Sequence, residues 1–156
     1  MPTYATVIGI ITRISNQNQG CCTRMITLTT DQGIVNVLLD AETLVIDSRA
    51  LSIGMRIAAF YDSMAPVPLI YPPQYRALII ATLQPGEQAI IGRFNRNLVS
   101  TDNALRLQIG PRTNVTTANG QSCRCCPEGN TLLVLYTNTT RSIPPQTTPR
   151  RVVVLC

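Results

Sequence analysis

Gly54-Met55-Arg56-Ile57-Ala58-Ala59-Phe60-Tyr61 is an apolar run ending in tyrosine, and Pro72-Pro73-Gln74 and then Arg76-Ala77-Leu78-Ile79-Ile80 follow it. The second half of the chain holds the same succession: Gly129-Asn130-Thr131-Leu132-Leu133-Val134-Leu135-Tyr136, then Pro144-Pro145-Gln146, then Arg151-Val152-Val153-Val154-Leu155. Short apolar runs bounded by turn residues read as strands. Proline cannot donate to a sheet ladder, so each intervening stretch reads as an ordered excursion. Strand, proline loop and strand, occurring twice, point to a repeated β-motif.

Further strand signals surround this pattern. Tyr4–Ile14 is β-branched, and Thr23–Thr29 and Ile34–Leu39 flank Asp31-Gln32-Gly33, a hairpin signal. Thr43–Ile46 and Arg76–Leu83 complete the first half. In the second half, Glu87–Phe94 places Gly92 where Gly9 stood; Ala104–Ile109 matches Arg24–Leu28, and Thr113–Thr117 matches Thr43–Asp47. No stretch carries an apolar stripe at helical spacing; a single turn of helix is expected near Asp47–Leu51. The expected fold is all-β, with tandem duplicated small OB-like β-barrel halves. Residues 1–84 form the first repeat with the IYPPQY loop, and residues 85–156 form a diverged second repeat ending in a cysteine. Closing five strands into a barrel removes sheet edges. The alternative is a single β-sandwich or jelly roll made from both halves.

Composition narrows the function. Only 13% of the 156 residues are charged, against 45% hydrophobic, and the formal net charge is +5. Few charges keep copies apart, which favours self-contact. The basic residues are all arginine; Lys, His and Trp are absent. Lacking His removes the commonest general base and metal ligand. Lacking Lys removes Schiff-base chemistry and the usual guard of sheet edges. Asp40 and Glu42, like the other carboxylates, sit in turns and at strand ends, where backbone capping is the expected duty. No nucleophile elbow or phosphate loop occurs, so neither an enzyme nor a cofactor is expected. Arginines are spread along the chain and aromatic residues are few, so nucleic acid is not an expected partner. Membrane insertion is not expected without a long apolar run. No secretory signal is legible at the N-terminus.

Chemistry concentrates in six cysteines: Cys21, Cys22, Cys123, Cys125, Cys126 and Cys156. All but Cys156, the last residue of the sequence, lie in polar stretches that read as loops. Neighbouring cysteines rarely bridge to each other, because their side chains diverge across a trans peptide. Each pair therefore suits two different partners, within the chain or on another copy. A zinc site would need four converging thiolates, without the paired Cys-x-x-Cys spacing that usually supplies them. Unbonded thiols in a reducing compartment are a third possibility. Contacts that repeat without closing generate filaments.

Phe60-Tyr61-Asp62-Ser63-Met64-Ala65-Pro66-Val67-Pro68-Leu69-Ile70-Tyr71-Pro72-Pro73-Gln74-Tyr75-Arg76-Ala77 resembles a segment of small β-barrel domains from spore-forming Gram-positive bacteria. In the second half Ile143 and Thr147 replace Tyr71 and Tyr75. The style of the cysteines is similar to that of disulfide-linked appendage subunits on bacterial endospores. Together these imply a structural subunit of a self-assembling, disulfide-cross-linked filament, extracellular or on a spore surface. Its expected partner is itself, with related subunits or a surface anchor as further candidates. An OB-like binding module for single-stranded nucleic acid or another ligand is the alternative.

Overall fold

The computed structural model describes residues 2–17, 21–123 and 127–156, and among them the chain is all-β, with thirteen strands and one 3-10 turn at Ile46–Ser48. The helical turn expected at Asp47–Leu51 stops there. Asp47 and Ser48 have φ of 64° and 49°, in the left-handed region, which cannot propagate a right-handed helix. Two compact units, residues 1–85 and 86–156, make up the chain.

In the first unit β1 (Tyr4–Asn16), β2 (Arg24–Thr30), β3 (Gly33–Leu39), β4 (Leu44–Val45), β5 (Arg56–Asp62), β6 (Gln74–Arg76) and β7 (Ile79–Thr82) form one seven-stranded sheet, ordered β4-β7-β5-β1-β2-β3-β6. Strand β1 serves two neighbours: Tyr4–Ile10 pairs with β5, and Ile10–Asn16 with β2. Gly9 sits at the changeover, and a Cβ there would lie 2.7 Å from the Thr29 carbonyl oxygen. Only glycine permits that approach. The β2–β3 hairpin turns at Asp31-Gln32 and resumes at Gly33, whose φ of 114° favours glycine.

No sheet closes into a barrel among the described residues, contrary to the expectation of barrel halves. Closure fails at one place. The run Gln74–Thr82 pairs in parallel with β3 through β6, then antiparallel with β5 through β7. Between them the Ala77 N–H donates to the Leu38 carbonyl on one side, and the Leu78 N–H to the Phe60 carbonyl on the other. The ladder breaks where the run changes partner, and the sheet stays open from β4 to β6.

The second unit contains β8 (Gln88–Arg93), β9 (Arg106–Leu107), β10 (Asn114–Thr117), β11 (Thr131–Tyr136), β12 (Gln146–Thr147) and β13 (Arg151–Val154). They form a four-stranded sheet, β10-β13-β11-β8, and a two-stranded one, β12-β9. Its hydrogen bonds follow those of the first unit in order. The Thr43 hydroxyl donates to the Ala77 carbonyl at 2.8 Å, and the Thr113 hydroxyl to that of Pro149 at 2.7 Å. The Asn36 N–H donates to Pro73, and the Arg106 N–H to Pro145. The Leu83 N–H reaches Arg56, and the Leu155 N–H reaches Thr131.

These bonds correct the segment matching. Ala104–Ile109 does not stand with Arg24–Leu28, because β9 runs parallel to the Pro-Pro-Gln strand β12, as β3 runs to β6. The stretch in the place of β2 shrinks to single bridges, Phe94 to Ser100 and Val99 to Arg106. Likewise β13 stands with β7, being antiparallel to β11 and parallel to β10 as β7 is to β5 and β4.

Each unit has its own core. Ile11, Ile26, Leu28, Val37, Ile57 and Ile80 pack in the first. Phe94, Leu107, Val115, Leu132, Val134 and Val152 pack in the second. Ile57–Phe60 and Leu132–Leu135 are buried at every position rather than alternately. Both faces of β5 and β11 are therefore covered, which explains their unbroken apolar sequence.

Candidate functional site

Exposed thiols are the first feature of the site. Cys21 and Cys22 lie just before β2 and face solvent, and Cys156 is exposed beyond β13. Cys123 is half-buried; its N–H donates to the Val115 carbonyl at 3.0 Å and its side chain packs against the second core. No disulfide joins these described cysteines. Cys125 and Cys126 lie outside the described residues. Among the described residues no cluster of His, Cys, Asp and Glu is arranged to hold a metal ion.

Cys21 and Cys22 open onto a cavity of 370 Å³. It forms at the end of the first core, where Ile14, Leu39, Val45 and Leu51 are only half-buried, and Arg24 and Arg49 also line it. A connection carrying thiols thus borders an apolar hollow with two guanidinium groups. Sequence alone could have flagged Arg24, two positions after Cys22; Arg49 arrives only through the fold.

Asp40 also borders the cavity, but its carboxylate is engaged. The Arg76 Nε donates to it at 2.7 Å, and an Arg76 NH2 group donates to Glu42 at 3.0 Å. The Arg76 hydrogen bond, with help from the Glu42 N–H, holds the Asp40 carboxyl below its usual range despite partial desolvation. Arg76 is correspondingly raised by Asp40. The turn duty expected of carboxylates recurs at Asp62, which accepts the Met64 N–H, and at Asp102, which accepts that of Ala104.

A second cavity, of 310 Å³, lies under Ala65–Pro68 and is lined by Leu38, Tyr61, Tyr75 and Arg76. The Tyr61 and Tyr75 rings stack there at 4.0 Å, 14° from parallel. Burial, and then the neighbouring Tyr75, pushes the Tyr61 hydroxyl above its ordinary pKa. Tyr71 stays out of that stack: it is 80% exposed. With it stand Met64, Leu69 and Ile70, all exposed on the same loop. No described helix is long and apolar enough to cross a membrane.

Compared with known proteins, the chain matches no family model, no curated protein and no solved structure.

Proposed function

We propose that this chain is a structural, non-catalytic subunit of a self-assembling filament fortified by disulfides, extracellular or on a spore surface, and built from two tandem OB-like units. The observation that carries the reading is the exposure of Cys21, Cys22 and Cys156 as free thiols. Thiols at loops and beyond a last strand meet partners readily and contribute little to a core. Each cross-link joins two thiols from different copies as one S–S bond. The two protons go to solvent and the two electrons to an oxidant such as dioxygen or a small-molecule disulfide. The matched hydrogen bonds of the two units support the tandem arrangement.

Non-reducing electrophoresis of native material tests this. A ladder that collapses on reduction is expected, and replacing Cys21, Cys22 and Cys156 by serine shortens it. A single monomer band overturns the reading.

The Tyr61–Tyr75 cavity favours one rival, an OB-like module binding single-stranded nucleic acid. Against it, each ring gives one face to the other, and Arg76 is engaged by Asp40 and Glu42. Salt-sensitive binding to single strands without any polymer would favour the rival.

A further inference from the structure

We propose that the proline loop Met64–Tyr71 of one copy seats in the Cys21–Cys22 cavity of the next, joining copies head to tail. This rests on the filament reading and adds to it the place where copies meet.

The loop is a preformed apolar projection. Leu69 is 102% exposed, Met64 and Tyr71 80% each, and Ile70 55%. Its base is pinned on both sides: the Ser63 N–H and hydroxyl both donate to the Thr3 carbonyl, and the Asn36 N–H donates to that of Pro73. Pro66, Pro68, Pro72 and Pro73 restrict the backbone between. Ordering such a loop on binding costs little, because it is already ordered. Apolar side chains gathered in water on one projection mark an interaction surface.

The cavity is the matching feature. Its walls are Ile14, Ile26, Leu39, Val45 and Leu51, and no residue of Met64–Tyr71 lines it. Charge agrees with shape. Arg24 and Arg49 on the cavity have no ion pair among the described residues, and neither have Asp62 at the base of the loop and Asp31 beside it. Tyr71 brings the loop next to the Asp31 turn, since its hydroxyl oxygen lies 3.8 Å from where a Cβ on Gly33 would be. An acidic, apolar projection and a basic, apolar hollow complement each other on different copies. Such a contact joins unlike surfaces, so it extends rather than closes. One loop in one hollow falls well short of the roughly 1,200 Å² that stable interfaces bury. The contact therefore sets register, and a disulfide from Cys21 or Cys22 to a thiol elsewhere on another copy makes the joint permanent.

Two readouts separate the docking from the filament. In sedimentation velocity on the full chain kept reduced, association should grow with concentration. The double variant L69D/I70D, whose changed side chains are exposed, should lower the association constant about tenfold or more, with an unchanged circular dichroism spectrum. In the second readout, L69C is placed in a chain whose Cys123, Cys125, Cys126 and Cys156 are serine, then oxidised with a small-molecule disulfide. The introduced thiol should bond to Cys21 or Cys22 of another copy and yield a ladder. Reduced L69D/I70D associating like the parent overturns the docking, as does an L69C chain that stays monomeric. Uptake of a medium-chain fatty acid by a chain that never associates overturns it too, and assigns the cavity to a small anionic amphiphile. A reduction-sensitive ladder from native material alongside any of these leaves the filament standing.

Discussion

Gly9 and Gly92 occupy the same place in their units and carry different burdens. A Cβ on Gly9 meets the Thr29 backbone oxygen at 2.7 Å, whereas the nearest atom for Gly92 is Phe94 Cε1, at 3.8 Å. Gly9→Ala should therefore cost about 1–3 kcal/mol by overpacking, and Gly92→Ala should be close to neutral; urea unfolding midpoints decide. The glycine correspondence was legible in the sequence, but the difference was not, because it depends on β2 running alongside β1 and only a remnant facing β8. Asp40 is a second case. Its folded pKa lies below the ordinary 3.8, so its bond to Arg76 stabilises fully above that pH and is lost as pH falls through the lower folded value. For a partly exposed pair the effect is about 0.2–1 kcal/mol. Asp40→Asn should lower the urea midpoint at pH 6, and the gap from the parent should narrow below pH of about 3.8.

Among elements, the proline loops and apolar strands were the clearest in the sequence, since proline and unbroken β-branched runs act locally. Partner exchange within Gln74–Thr82 was hidden, because a ladder break depends on two flanking strands and not on the residues of the break. Cys21, Cys22 and Cys156 read as exposed from their polar or terminal setting; the hollow beside the first two was invisible, being made by β1, β2, β3 and the Asp40–Leu51 stretch together. Glu87 exposes a different limit. It precedes β8, is buried, and accepts Nε and an NH2 group of Arg150 at 2.8 Å each. The sequence shows a carboxylate at a strand start and gives no sign that it is sealed from water. The pair is asymmetric: the Glu87 side chain is 1% exposed, the Arg150 side chain 41%. Arg150→Ala should cost about 3–5 kcal/mol by removing both guanidinium hydrogen bonds from a buried carboxylate. Glu87→Gln should cost less, about 1–3 kcal/mol, because the arginine can still reach water. Thermal unfolding of the two variants side by side checks the order.

At the scale of the molecule, parallel pairings join residues far apart in the chain: Asn36 with Gln74, and Asn114 with Arg151. Neither sheet can form from a local hairpin alone, and such non-local topologies fold slowly. Every strand of the first sheet nevertheless lies between Tyr4 and Thr82, while the second needs the stretch up to Val154. During synthesis the first sheet thus has all its strands while the second unit is still on the ribosome, and chains fold in that order as they emerge. Cys21 and Cys22 reach solvent before Cys156 exists. On the proposed cross-linking, a bond from these early thiols to Cys156 of another copy has to wait until that copy is finished.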